Sequence, residues 1–403
     1  MKSTVDWSTK GLWLPGGDVP DAAFAGAGHH LFDGPFTWPI MVAKRSAIEA
    51  NIETMAAYCR RHGVEFAPHG KTTMAPTLFS AQLAAGAWGI TVATANQALA
   101  ARHFGVPRVL LANELMDPRV LRWAAGEVAS GWEFLYYVDS LAGVAVLRDA
   151  LEGTGGRLTV LVEMGYAGGR TGCRTVADAL AVAEAAARIP GVEVAGVAGF
   201  EGLLPDADAV RAFVATMQEF LVALSATRVG APLVLSAGGS AYFDAVLDNV
   251  KVSTSGPRPE WTVILRSGAV VSHDNGTYAS SSPFVRSPEE GSLVAALEVW
   301  TQVLSTPEPG LAILSAGKRD LAFDIGLPVP VEVRGTDGTV RPLPGASVAQ
   351  LNDQHAYLRG AAVTPGELVR LGISHPCTAF DKWRVIPVVT DAYEVVDLLH
   401  TYF

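Results

Sequence analysis

Cysteine is scarce: Cys59, Cys173 and Cys377 are the three in 403 residues. They are too few and too scattered for a disulfide framework, as expected in a reducing compartment. Charge is sparse as well. Charged residues make up 17% of the chain and hydrophobic ones 49%, with mean hydropathy +0.27, which excludes a disordered, self-repelling polymer. Positive charge is in deficit, with 30 Lys and Arg against 40 Asp and Glu and a formal net charge of −10. No basic field is there to attract nucleic acid or an anionic membrane, although a local positive site for a small phosphate stays open. Long apolar runs are also lacking. Ala-rich stretches such as Val176–Ile189 are broken by Asp, Glu and Arg, so none reads as transmembrane. The start, MKSTVDWSTKGLWLPGGD, has no apolar stretch behind its early lysine and does not read as a secretory signal. The expectation is a cytoplasmic globular chain with material for two domains or one large one.

What is present is rhythm. Helical segments with apolar residues at three- and four-residue spacing alternate with short β-branched runs. The helices are read at Ser46–His62, Ala75–Gly86, Ala95–Phe104, Pro118–Ala129, Val176–Ile189 and Ala207–Thr227. The strands are read as VEFAP from Val64, GITVAT from Gly89, RVLLAN from Arg108, EFLYYVD from Glu133, RLTVLVEMG from Arg157, VEVAGVAGF from Val192, PLVLSAGG from Pro232 and WTVILRSG from Trp261. Each is apolar enough to be buried on both faces, as a parallel sheet demands. Eight strand–helix units favour an α/β (β/α)8 barrel over a doubly wound open sheet.

Beyond Ser272 the period shortens towards two and Pro and Gly crowd the joins: SLVAALEVWTQVLS, LAILSAGKR, LPVPVEVRG, GELVRLGIS and KWRVIPVVT. The expected division is an N-terminal segment, 1–45, that joins a β domain through the early run WPIMVAKR; a barrel over 46–271; and a β-rich C-terminal domain over 272–403.

Four motifs carry chemistry. PHGKTT, Pro68 to Thr73, follows the first strand, and barrel enzymes keep their reacting groups on loops at the C-terminal ends of strands. Lys71, flanked by apolar VEFAP and MAP, reads as a partly desolvated amine suited to Schiff-base chemistry, or else as a solvated loop lysine. His69 reads as a neighbour of a bound group or as an incidental loop histidine. SAGGS, Ser236 to Ser240, joins the seventh strand to a helix; its backbone N–H groups and hydroxyls suit a phosphate, while a tight turn alone would also ask for glycine. GGRTGC, Gly168 to Cys173, sets Arg170 among glycines, where a guanidinium can approach a flat anion or simply face solvent. HPC, His375 to Cys377, puts imidazole and thiol at i and i+2, on one side of an extended segment, where nitrogen and sulfur suit zinc. A buried cysteine beside an incidental histidine is the competing view. His355, in LNDQHAYL, is a further candidate for that pocket.

Taken in order, a strand-end P-H-x-K-T, an arginine in G-x-R-x-G, a strand–GG–Ser phosphate loop and a C-terminal H-x-C resemble the D-serine dehydratase/D-threonine aldolase-like family of fold-type III enzymes. GAWGITVATANQA and LLANE strengthen the resemblance, which spans Pro39 to Trp383. It implies an alanine-racemase-type barrel plus a β domain, usually dimeric. It implies pyridoxal 5'-phosphate carried by Lys71, with His69, Thr72, Arg170, Phe200, Ser236, Gly238, Gly239 and Ser240 around it. It also implies Zn2+, or another divalent ion, on His375 and Cys377, with His355 as a second catalytic candidate beside Lys71. Departures stand at Ala67, where relatives commonly have arginine; at Thr73 and Met74, where they have His-Lys; and at Phe200 and Val270, where many have tyrosine.

The implied reaction is elimination from D-serine or a similar β-hydroxy-D-amino acid to a keto acid and ammonia. The alternatives are retro-aldol cleavage of a 3-hydroxy-D-amino acid, racemisation, and a non-catalytic pyridoxal-phosphate carrier. H-x-C tends to accompany dehydratases and H-x-D aldolases, consistent with thiolate softness. A carrier would leave the β-rich segment and HPC unexplained.

Overall fold

The computed structural model describes residues 4–226, 232–252 and 261–403. Two compact units divide the chain: Met1–Met55, Thr72–Leu78 and Ala269–Phe403 form one, and Ala56–Lys71 and Phe79–Gly268 the other.

The second unit holds eight strands: β1 (Glu65–Phe66), β2 (Ile90–Val92), β3 (Arg108–Glu114), β4 (Glu133–Val138), β5 (Leu158–Met164), β6 (Val192–Gly199), β7 (Leu233–Ala237) and β8 (Trp261–Leu265). Neighbours from β2 through β8 pair in parallel, and β8 pairs with β1. Trp88 N to Phe66 O at 2.7 Å and Thr91 N to Pro68 O at 2.9 Å close the ring between β1 and β2. The fold is thus the (β/α)8 barrel.

Side chains two apart on a strand share a face, so Leu110, Leu135, Tyr137, Leu161 and Ala198 fill the interior, with Ala112 packed against them. After most strands a short polar side chain starts the next helix. Thr94, Asp117, Ser140, Thr175 and Asp206 each accept a backbone N–H of the first turn. The segment read as a helix to Thr227 is seen as Ala207–Ser225, and Thr227 lies outside the described residues. Leu141–Leu151 is a helix that the periodicity did not reveal.

The other unit is antiparallel. Its longest strand, Leu297–Glu308, pairs with Leu311–Leu314, with Leu368–Gly372 and with the early strand Ile40–Lys44. Trp300, Trp383 and Phe380 anchor its core at 1%, 1% and 0% exposure. Strands Val340–Pro342, Ser347–Leu351, Ala356–Arg359 and Val395–His400 add to the runs read from sequence. HPC is not an extended segment. His375 is extended, at φ −154° and ψ 126°, but Pro376–Thr378 form a 3-10 turn. Proline holds its own φ near helical values and pushes the residue before it into the extended region. Among the described residues no helix is long and apolar enough to cross a membrane.

Candidate functional site

The loops beyond the C-terminal ends of the barrel strands enclose a cavity of about 180 Å³. Lys71 reaches it from a single 3-10 turn, Gly70–Thr72, just after β1. That turn is pressed against its neighbours. A Cβ on Gly70 would lie 2.8 Å from Phe79 Cζ and 2.9 Å from Ile90 Cγ2, so a side chain there would push Lys71 out of place.

Three cations, Lys71, Arg170 and Arg266, and one carboxylate, Glu163, line the cavity, with Tyr137 and Phe200 as aromatic walls. His69, Asn113 and Thr171 complete its polar lining, and Gly239 contributes backbone. The Arg170 guanidinium stacks over the Phe200 ring at 4.2 Å, and that of Arg266 lies 5.8 Å from the Tyr137 ring. Burial, followed by the charges of Lys71, Arg266 and Arg170, holds the His69 imidazole well below its ordinary pKa. It is therefore neutral at neutral pH, and its buried Nδ1 has no hydrogen-bond partner.

The loop that carries Arg170 is wound on a second arginine. Arg174 donates to the carbonyls of Gly169 at 3.2 Å and of Arg170 and Thr171 at 2.8 Å. Gly172 N donates to Asp139 Oδ2 at 3.0 Å, and Cys173 Sγ to Asp139 O at 3.1 Å. Burial pushes the Cys173 thiol up to about 12, which makes it a packing group rather than a nucleophile. Arg266 is equally fixed, donating to Ser236 Oγ at 2.8 Å and Gly199 O at 2.6 Å.

Glu114, Asp139 and Glu163 stand at the ends of β3, β4 and β5, with ligand atoms within 4.8 Å of one another. Burial first, then Glu163 and Asp139, push the Glu114 carboxyl up to about 9, so it keeps its proton at neutral pH.

In the β-rich unit, His375 Nδ1 meets Asp324 Oδ2 at 2.7 Å, and Thr378 Oγ1 donates to Asp324 Oδ1 at 2.8 Å. Burial opposes a charge on His375, yet a hydrogen bond with Cys377 and then Asp324 raise it to about 9. The turn thus brings His375 and Cys377 together, and a carboxylate sets the ring's orientation.

Of the residues singled out from sequence, Lys71, His69, Arg170, Phe200 and Gly239 share the barrel cavity. Thr72 is buried, at 1% exposure. Ser236 is committed to Arg266 and to Ile264 O, and Gly238 donates its N–H to Glu201. His375 and Cys377 pair within the other unit, while His355 is exposed in the turn between Ser347–Leu351 and Ala356–Arg359. The sequence reading missed Asn113, Tyr137, Glu163, Arg266 and Asp324. Glu163 did leave a signal, as the one charge inside the apolar strand LTVLVEM.

The alanine racemase N-terminal domain family model matches residues 44–251, and the serine dehydratase domain model matches 296–389. The chain is 28% identical over 365 residues to a D-threonine aldolase of an Arthrobacter species, covering 88% of this chain and 89% of that protein. A crystal structure of D-threonine aldolase from Filomicrobium marinum matches with a TM-score of 0.75 at 23% identity, covering 91% of this chain and 94% of that one. A D-threo-3-hydroxyaspartate dehydratase, solved as a cysteine-to-alanine mutant in the metal-free form, matches at 0.70 and 23%, covering 91% and 97%. At these identities the two structures share the fold with this chain.

Proposed function

We propose, for a chain that belongs to the alanine racemase N-terminal domain family and its D-serine dehydratase/D-threonine aldolase-like branch, that it is a lyase of β-hydroxy-D-amino acids using pyridoxal phosphate on Lys71. The observation that carries this reading is the cavity at the barrel's C-terminal mouth, where Lys71 stands with Arg170, Arg266 and a neutral His69.

The residues present fit that cofactor. Three cations against one carboxylate suit a phosphate-bearing anion, and Tyr137 and Phe200 offer faces to a flat ring. A Cβ on Gly239 would press against Glu201 Oε1 at 3.2 Å and the Phe200 ring edge at 3.4 Å, so glycine keeps this backbone at the cavity wall. When bound, the cofactor supplies an electron sink for the substrate's Cα. The protein does the rest. Lys71 is the amine that attaches it, and Arg170 and Arg266 bind anionic groups from positions fixed by their loops. His69 Nδ1 is a neutral, desolvated nitrogen that can take or hold a proton.

His375 and Cys377 would hold a metal ion. Nitrogen and sulfur suit zinc, and the Asp324 contact at Nδ1 leaves Nε2 to the metal. Two protein donors leave positions for substrate or water, and the ion would supply Lewis acidity. A sulfur ligand favours a soft ion over a hard one. Together with the H-x-C resemblance, that supports dehydration of D-serine or a similar substrate to a keto acid and ammonia as the first reading. Retro-aldol cleavage is the second, supported by similarity to a D-threonine aldolase over 88% of the chain. A panel of D-amino acids, assayed with and without zinc for keto acid, ammonia and aldehyde together, tests both. Racemisation with no cleavage product from any β-hydroxy substrate would refute the lyase reading.

A further inference from the structure

Glu201 follows β6 in the segment GFEG and is 0% exposed, in the same barrel unit as Lys71. Its carboxylate accepts the backbone N–H of Gly238 at 3.2 Å through Oε2, and that of Gly239 through Oε1. These are the two N–H groups that the glycine turn after β7 was expected to offer a phosphate. The turn is held from its other side too. Gly238 O accepts Arg266 N at 3.1 Å and Ser267 Oγ at 3.0 Å, both from the end of β8. Gly238 sits at φ +91°, and a Cβ there would lie 2.5 Å from Leu265 Cδ2, so only glycine follows this path.

We propose that Glu201 is the positioning residue of the cofactor's phosphate loop. Its carboxylate fastens the first two donors of the turn and so fixes the backbone on which the phosphate docks. This rests on the cofactor reading above. Four features favour a fixed brace over a placeholder that leaves when phosphate arrives. The carboxylate is wholly buried. It takes two hydrogen bonds from consecutive residues, and bonds to an ionised acceptor are the stronger kind. The carbonyl of the same turn is pinned independently by β8. Moreover, Gly239 already lines the cavity while its N–H points at Glu201, so the turn's cavity-facing shape and the Glu201 contact coexist. The brace would act chiefly on the phosphate, because both of its carboxylate oxygens accept from the turn.

The test uses the full-length chain stripped of cofactor, as wild type, Glu201→Gln and Glu201→Asp. Gln is nearly isosteric but accepts at one oxygen, and Asp keeps the charge but falls short of the turn. Each is titrated with pyridoxal phosphate, with pyridoxal, and with inorganic phosphate as competitor, and the phosphorus NMR shift of the bound ligand is recorded. Loss of a hydrogen bond to a charged group corresponds to about tenfold or more in affinity. The expected result is a loss of that size for pyridoxal phosphate in both variants, a weaker competitor and a moved phosphorus signal, with pyridoxal binding unchanged. Tighter binding of pyridoxal phosphate in either variant would overturn the proposal and mark Glu201 as a competitor for the phosphate. Unchanged affinity, or equal losses for pyridoxal and pyridoxal phosphate, would also overturn it. A wild type that binds neither ligand removes the cofactor reading and this inference together, an outcome distinct from the others. A Glu201→Gln protein that fails to fold leaves the sign of the Asp variant's change to decide.

Discussion

Replacing Glu114 with Gln is expected to make the fold more stable in alkali and to leave it unchanged in acid. The reason lies in the three carboxylates at the ends of β3, β4 and β5, whose ligand atoms lie within 4.8 Å of one another. In the folded chain the Glu114 carboxyl is pushed up to about 9 from its ordinary 4.5. Between those values the folded state holds a proton that the unfolded chain has released, so stability falls as pH rises through that interval. At about 1.4 kcal/mol per unit, linkage sets a ceiling of about 6 kcal/mol across the whole interval. Like-charge repulsion at the observed separation supplies about 3 kcal/mol of this at an effective dielectric of about 20, and desolvation the rest. Glu114 and Asp139 are only half-buried, so screening lowers both contributions, and at least about 2 kcal/mol should survive. Gln keeps the shape and a donor for Glu163 but has nothing to ionise. Thermal midpoints of wild type and variant, measured by fluorescence from acid to above pH 9, should coincide below 4.5 and diverge steadily above it. Parallel curves throughout, or a wild-type midpoint that is flat across the range, would refute the retained proton on Glu114.

Lys71→Ala should abolish the borohydride-reducible attachment of pyridoxal phosphate and its visible absorption, and a covalent adduct that survives in the variant would move the attachment elsewhere. Asp324→Asn should loosen the His375 ring and weaken metal binding by about 10- to 100-fold, the usual effect of losing an outer carboxylate. Zinc titration of the stripped protein reads this directly. Cys377→Ala should match the chelated wild type in losing turnover while retaining cofactor absorption, and full turnover in excess chelator would defeat the metal assignment. The chain should run as a homodimer in light scattering, a proposal that follows from the family resemblance and from the commonness of two-fold pairing.

The barrel was legible because its strands are buried on both faces and so read as unbroken apolar runs, most of them closed by a turn and a capping residue. Strand ends were less so. VEFAP suggested five residues, whereas the ladder with β8 holds only Glu65 and Phe66. The chain must turn at once to bring Lys71 to the mouth. Leu141–Leu151 went unread because LAGVAVLRDAL carries a glycine and valines that weaken helical propensity. Its cap was nevertheless visible in the sequence as Ser140, whose hydroxyl accepts Gly143 N at 3.2 Å. In the β-rich unit most of the added strands are short, as Val340–Pro342 and Ala356–Arg359 are, and they form only by pairing with other strands. HPC was read as an extended segment, and the structure makes it a turn. The convergence of His375 and Cys377 comes from a proline-started turn rather than from strand alternation.

The site divides along the same line between local and lateral information. Lys71 and Arg170 could be picked out because each sits in a glycine-marked loop at a strand end, a signal contained within six residues. Glu114, Asp139 and Glu163 carry no such punctuation, and they become neighbours only when three parallel strands pair side by side. Yet the placement of two of them follows from the strands themselves. Tyr137 and Leu161 face the barrel interior, and two residues on, where alternation returns to the same face, the chain reads Asp139 and Glu163, whereas a register shift between Leu111 and Glu114 breaks the alternation before Glu114. Continuing the interior face of β4 and β5 to their C-terminal ends therefore yields two of the three acids, and the third needs the bulge in β3 to be known. The same step fails for Glu201, because that residue lies in the loop after β6, where alternation no longer applies. Its partners are backbone N–H groups, which leave no mark in a sequence, so the contact that braces the glycine turn could only have come from the structure.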